Sequence, residues 1–200
     1  ALRIDPRHVN AYNNRGNAYR TKGDSDRAIA DYSQALRLEP SARRFNNRGD
    51  VYYEKRDFDA AMRDYSEAIK RNPRYATAHV NRGHVFRDRG DYDRAIQDYA
   101  EAIRLDPSDA SGWDGRCYTR AISGQLQPAL ADCNESLRLR PDDANTLDSR
   151  GLTHLKLGET DRAIADYDAA LAIEPRIPGS LYGRGLAKWK KGDRAGGDAD

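Results

Sequence analysis

The chain has 200 residues, of which 38% are hydrophobic and 33% charged, with 34 basic and 32 acidic side chains. A net charge of +2 offers no general attraction to phosphate backbones or acidic lipid, which argues against nucleic-acid and membrane partners. No apolar run approaches the roughly 18 residues that span a bilayer and no charged-then-apolar leader opens the sequence, so the expected location is cytoplasmic.

Proline recurs at positions 6, 40, 73, 107, 141 and 175, a beat of 34 residues with one interval of 33. A period of that size marks a stacked repeat protein rather than one globular core. Residues 1–8 read as the end of a preceding repeat, because Ala1, Leu2, Ile4 and Pro6 match Ala35, Leu36, Leu38 and Pro40. In repeat 1, residues 9–41, the residues Tyr12, Gly16 and Tyr19 share one helical face, and Ala28, Ile29, Tyr32, Ala35 and Leu36 share a face of the next helix. The turn Lys22-Gly23-Asp24 supplies a left-handed stop and then a cap. Repeat 2, residues 42–75, varies that turn as Arg56-Asp57, and the loop before it lacks one residue between Ser41 and Arg44. Repeat 3, residues 76–109, restores the glycine in Gly90-Asp91.

Repeat 4, residues 110–143, is degenerate. Cys117, Arg120, Cys133 and Ser136 stand where other repeats carry glycine, an aromatic, tyrosine and alanine. Two cysteines make no disulfide framework, and these two are expected to be reduced packing thiols. Repeat 5, residues 144–177, and a partial repeat 6, residues 178–200, carry Gly158-Glu159 and Gly192-Asp193. The sequence begins and ends in mid-repeat and so reads as a piece of one longer array.

The run Tyr12-x-x-x-Gly16-x-x-Tyr19, with Ala28, Tyr32, Ala35 and Pro40, resembles the tetratricopeptide repeat, and the arginine-heavy Asn-Arg-Gly wording looks bacterial. The match recurs through Phe45, Gly49, Tyr52, Ala61, Tyr65 and Ala68, through Gly83, Phe86, Ala95, Tyr99 and Ala102, and through Gly151, Ala163, Tyr167 and Ala170. It covers the whole chain. The resemblance implies an all-α fold, a right-handed α-solenoid of stacked antiparallel helix pairs, whose first helices line a concave groove that commonly holds a partner peptide.

Two regularities go beyond the family pattern. Arginine always precedes the glycine place, as Arg15, Arg48, Arg82, Arg116, Arg150 and Arg184. Aspartate always precedes the second-helix aromatic place, as Asp31, Asp64, Asp98, Asp132 and Asp166, with Asp200 at the last such position. A guanidinium meets a carboxylate through two parallel hydrogen bonds, so internal ion-pair rungs are expected. The alternative is an exposed arginine ladder that reads acidic peptide.

The groove is expected on the first helices. Asn14, Asn47 and Asn81 form a row at repeat spacing, with Asn10, Asn13, Asn17 and Asn46 around it. An amide side chain can bond a peptide unit through both its donor and its acceptor, whatever the peptide's side chains. His84 is expected to face this groove and His79 to pack inside. Farther along, the same places turn apolar as Tyr118, Leu152, Leu155, Leu186 and Trp189, which suit hydrophobic partner residues or contact with further repeats or another copy. The carboxylate clamp of chaperone-adaptor repeats is broken. Asn13, Asn17 and Asn47 match its amides, but Asn13, Thr77 and Asn81 stand where it needs cations.

No catalytic, cofactor or metal site is expected. His8, His79, His84 and His154 show no one-face metal spacing, and no phosphate loop or nucleophile elbow occurs. The expected function is a non-enzymatic scaffold that binds a peptide or protein segment in the groove. The alternative is a structural, self-assembling spacer within a larger protein, associating through exposed terminal repeats.

Overall fold

Several helices start where a short polar side chain caps them, and the first helix of each repeat stops where the backbone turns left-handed. The computed structural model describes residue 5 and residues 7–200, so the expectation for Ala1, Leu2, Ile4 and Pro6 lies outside the described residues. The described chain is all-α, without a strand. Its helices are α1 (Val9–Thr21), α2 (Ser25–Leu38), α3 (Ala42–Glu54), α4 (Phe58–Arg71), α5 (Ala76–Asp88) and α6 (Tyr92–Leu105). There follow α7 (Ala110–Ile122), α8 (Leu126–Leu139), α9 (Ala144–Lys156), α10 (Thr160–Ile173), α11 (Pro178–Lys190) and α12 (Arg194–Asp198).

The chain forms two compact units, Ala1–Asp91 and Tyr92–Asp200. The division falls in the turn after α5, inside the third repeat. Within the first unit α1 pairs with α2 and α3 with α4; within the second α7 pairs with α8 and α9 with α10.

The turns follow the sequence closely. Gly23, Gly90, Gly124, Gly158 and Gly192 all have φ between +75° and +89°. Arg56 takes the same place at φ 59°, the only described non-glycine residue with positive φ. Asp24 and Asp57 then cap α2 and α4 by accepting from the backbone N–H of Arg27 at 3.2 Å and of Ala60 at 3.1 Å. Between repeats, residues 39–41 make a three-residue loop where residues 72–75 make one of four. Three side chains hold these loops by reaching a carbonyl oxygen in them. The His79 Nε2 lies 3.2 Å from the Pro73 oxygen and Trp113 Nε1 donates to the Pro107 oxygen at 3.1 Å. In the shorter loop Arg44 donates to the Glu39 oxygen at 2.8 Å.

The core is built from second-helix tyrosines laid on first-helix glycines. Tyr32, Tyr65, Tyr99 and Tyr167 are almost wholly buried. A Cβ on Gly49 would sit 2.7 Å from the Tyr65 ring, and one on Gly151 would sit 2.9 Å from that of Tyr167. Repeat 4 solves the same contact differently. Cys117 and Cys133, buried and with Cα atoms 5.2 Å apart, are joined by a disulfide. This corrects the expectation of two reduced thiols. The glycine and tyrosine places face each other across the helix pair, so two cysteines there are within bonding reach.

Candidate functional site

The arginines that precede the glycine places of repeats 1, 2, 4 and 5 turn toward the second helix of their own repeat. Arg15 donates to both carboxylate oxygens of Asp31 at 2.6 and 2.7 Å, and Arg48 to Asp64 at 2.7 and 2.8 Å. In the second unit Arg116 meets Asp132 at 2.9 and 2.8 Å, Arg150 meets Asp166 at 2.8 and 2.6 Å, and Arg184 meets Asp200 in the same fork. The third nitrogen reaches the preceding repeat, from Arg48 to Ser33, Arg82 to Ser66, Arg150 to Asn134 and Arg184 to Asp168. Arg48 and Arg150 therefore each tie the two helices of one repeat to a helix of the repeat before.

The surroundings of these rungs change along the chain. In the first unit Arg15 lies between Tyr12 and Tyr19 and Arg48 between Phe45 and Tyr52, with ring centroids 5.6 to 6.0 Å away, a cation–π sandwich. In the second unit the place of Tyr19 is basic. Arg120 gives Asp132 a second guanidinium at 2.6 Å, and Lys188 lies 2.7 Å from Asp200. His154 sits between Glu159 at 2.6 Å and Asp166 at 3.7 Å.

The asparagine places also join helices to one another. Asn47 donates to Asn13 at 3.3 Å, and Asn81 donates to Asn46 at 3.1 Å and to Asp50 at 2.9 Å. Asn13 and Asn46 are buried, which corrects their expected place on an open groove. Side chains three residues before the glycine place point at the next first helix, so an amide there meets an amide instead of solvent. Asn10, Asn14 and Asn17 are exposed, and Asn17 accepts from the Tyr32 hydroxyl at 2.5 Å. Asp50 is the hub of this seam. It accepts from Tyr65 at 3.0 Å and Arg20 at 3.1 Å as well as from Asn81. Burial pushes the Asp50 carboxyl above its ordinary value, against the pull of Arg20 and the Tyr65 hydrogen bond.

Above that seam the first unit opens a cleft of about 400 Å³, lined by Arg20, Asp50, Tyr53, Glu54, Tyr65, Thr77, Asn81 and His84. Tyr53 donates to Asp88 at 2.6 Å, and burial followed by that hydrogen bond pushes its hydroxyl up to about 12. Burial, with the Arg87 charge beside it, lowers His84 to about 4, so its imidazole is neutral near pH 7. Arg20, Asp50 and Tyr53 were not singled out in the sequence. Their pairing across successive repeats, about 30 to 35 residues apart, carried no local signal.

In the second unit Leu155 is buried with Ala163, Tyr167 and Ala187, which corrects its expected groove position. Tyr118 and Leu152 are half-buried. Leu186 and Trp189 are exposed by 38% and 52% and Tyr182 by 75%. Tyr182 was not anticipated. It stands three residues before a glycine place, where earlier repeats carry Asn13 and Asn46. Among the described residues no group of three or more His, Cys, Asp or Glu could hold a metal ion. No helix among them is long and apolar enough to cross a membrane.

Sequence profiles described as tetratricopeptide repeat match residues 46–110 and 83–144 and, separately, residues 9–41, and one described as TPR repeat matches residues 151–192. The chain belongs to the tetratricopeptide-repeat family. No curated protein matches the sequence significantly. Among solved structures, the APC/C hetero-tetramer Cut9-Hcn1 is similar at a TM-score of 0.85 and 20% identity, over 93% of this chain and 37% of that one, so the tetratricopeptide-repeat chain spans well under half of that relative. PilF of Pseudomonas aeruginosa is similar at a TM-score of 0.83 and 21% identity, over 96% of this chain and 87% of that one. YrrB, described as a TPR protein with an unusual peptide-binding site, is similar at 0.68 and 21% identity, over 90% and 94% of the two chains. At these identities the likeness is one of fold.

Proposed function

We propose that the chain is a non-enzymatic interaction module and that the first-helix face of its first unit holds an extended peptide segment. The observation that carries this reading is the cleft of about 400 Å³ between Arg20, Tyr53, Thr77, Asn81 and His84. It combines an aromatic wall, an exposed hydroxyl, an amide and a neutral imidazole, groups that recognise peptide backbone and small polar side chains. Its charges are already matched, Arg20 by Glu54 and Asp50, which disfavours a strongly acidic or basic peptide. YrrB, which shares the fold, is described as having a peptide-binding site, and that description supports the reading.

A fluorescent library of uncharged ten-residue peptides, screened by polarisation against the chain, tests the reading. The expected result is saturable binding that Tyr53→Ala weakens about tenfold, the loss of one anchoring aromatic. Binding that is unchanged in Tyr53→Ala and Thr77→Arg, with both variants folded, overturns it. The Cys117–Cys133 bond favours an oxidising compartment over the cytoplasmic location expected from sequence.

A further inference from the structure

The seams between successive first helices are closed by different chemistry in the two units. In the first, the amide three residues before a glycine place meets the amide two residues before the next, Asn13 with Asn47 and Asn46 with Asn81. In the second unit the places of Asn13 and Asn46 are held by Asp114 and Asp148. Each accepts from a hydroxyl of the following first helix, Asp114 from Thr146 at 2.9 Å and Asp148 from Ser180 at 2.6 Å. Opposite Asp148, the place of Asn47 and Asn81 is taken by Gly183, which has no side chain to offer. A neutral amide seam thus gives way to one that carries carboxylates.

Asp148 is half-buried on α9. Burial pushes its carboxyl above the ordinary value, and the Ser180 hydrogen bond alone pulls it back. Among the described residues no lysine, arginine or histidine pairs with it, whereas Asp132, Asp166 and Asp200 each meet a guanidinium. The tip of Tyr167 comes forward to the same seam. The residue is 1% exposed, and a Cβ on Gly183 would strike its hydroxyl, while one on Gly179, a turn earlier on α11, would lie 3.1 Å from the Asp148 Oδ2. Tyr32 and Tyr65 donate their hydroxyls to Asn17 and Asp50, one residue after the glycine place. In repeat 5 that residue is Leu152, and among the described residues the Tyr167 hydroxyl has no hydrogen-bond partner. Burial, and then the Asp148 charge, push this hydroxyl upward, so it stays protonated near pH 7.

We infer that Asp148 and Tyr167 form a seat for an ammonium group of a partner peptide, either a lysine side chain or a free N-terminus. The ammonium donates to Asp148 Oδ2, since Ser180 occupies Oδ1, and to the Tyr167 hydroxyl oxygen. An ammonium carries three donors and a compact charge, which suits two oxygens set a helical turn apart and a carboxylate that no cation of the chain answers. Leu152, one turn along α9 from Asp148, offers apolar cover for the methylene stem of a lysine. The seat belongs wholly to α9, α10 and α11, and goes beyond the first-unit cleft, which is expected to take uncharged peptide.

Three short glycine–serine peptides test this by fluorescence polarisation. One is blocked at both ends with a central lysine, one is blocked with norleucine in its place, and one has norleucine and a free N-terminus. Either cationic peptide is expected to bind at least about tenfold more tightly than the blocked norleucine peptide, the worth of a charge-assisted hydrogen bond. Preference for the lysine peptide assigns a side chain, and preference for the free N-terminus assigns a chain end. The preference is expected to vanish in Asp148→Asn, to weaken in Tyr167→Phe and to survive Tyr53→Ala, so its fate is separate from that of the first-unit cleft. In wild type the carboxyl carbon signal of Asp148 should titrate at lower pH once the cationic peptide is bound, because a nearby cation favours the carboxylate. Circular dichroism checks that the variants are folded. Equal binding of all three peptides, a preference that persists in Asp148→Asn, or one lost in Tyr53→Ala each overturn the inference.

Discussion

His84 shows how a residue on a nominally solvated helix face acquires a defined protonation state. The imidazole lines the cleft of the first unit, half-buried and beside Arg87, and both influences disfavour its charged form. The folded value near 4 lies below the ordinary 6.5, so the unfolded chain takes up a proton before the fold does. Stability is therefore unaffected by this group above 6.5, falls as the pH drops from 6.5 towards 4, and levels below. The loss is expected to be about 2 kcal/mol, less than the full shift implies because the ring is partly exposed. Urea unfolding of wild type and His84→Gln across that interval checks it, and a wild-type slope no steeper than the variant's removes the effect. His84 could be placed on the groove face from the repeat register alone. Its neutrality could not, since that comes from neighbours brought together by folding.

At the scale of the elements, the rungs decide how firmly each helix pair is held. Arg48 is flanked by Phe45 and Tyr52, forks onto the buried Asp64 and reaches back to Ser33. Arg15 makes the same fork onto Asp31 but leaves 47% of its side chain in water. Arg48→Ala strands a buried carboxylate, and its expected cost is about 3 kcal/mol. Arg15→Ala strands the equally buried Asp31 but removes a half-exposed guanidinium, so its expected cost is smaller, about 2 kcal/mol. Chemical denaturation of both variants measures the difference, and equal costs would mean that burial does not set the strength of the rungs. The arginine and aspartate places, the glycine turns and the shortened loop before Ala42 were all readable in sequence, because each is a local pattern recurring at a fixed place. Asn13 and Asn46 were misread for the opposite reason. Whether a helix-face amide meets solvent or another amide depends on how closely the next first helix approaches, which one repeat's sequence does not encode. Leu155 was misread similarly, because α11 covers it.

At the scale of the molecule, the two units differ in how they are held. The first relies on tyrosine-on-glycine packing and a polar seam centred on Asp50, and the second adds a covalent bridge from α7 to α8. Both tryptophans of the chain, Trp113 and Trp189, lie in the second unit, so their emission reports on that unit alone. In a repeat protein each element is stabilised mainly by its neighbours, so an effect on α7 and α8 is felt most strongly nearby. Reduction removes a cross-link between residues separated by 16 positions, and its expected cost is about 3 kcal/mol through the greater freedom of the unfolded chain. Guanidinium unfolding followed by tryptophan emission should therefore shift to lower denaturant when a reductant is present. Cys117→Ser/Cys133→Ser should show no further shift on adding reductant. Thiol titration of the denatured wild type should find no thiol before reduction and two after it. Two thiols before reduction would mean that the pair packs without bonding, and would restore both the reduced-cysteine expectation and the cytoplasmic one that accompanies it.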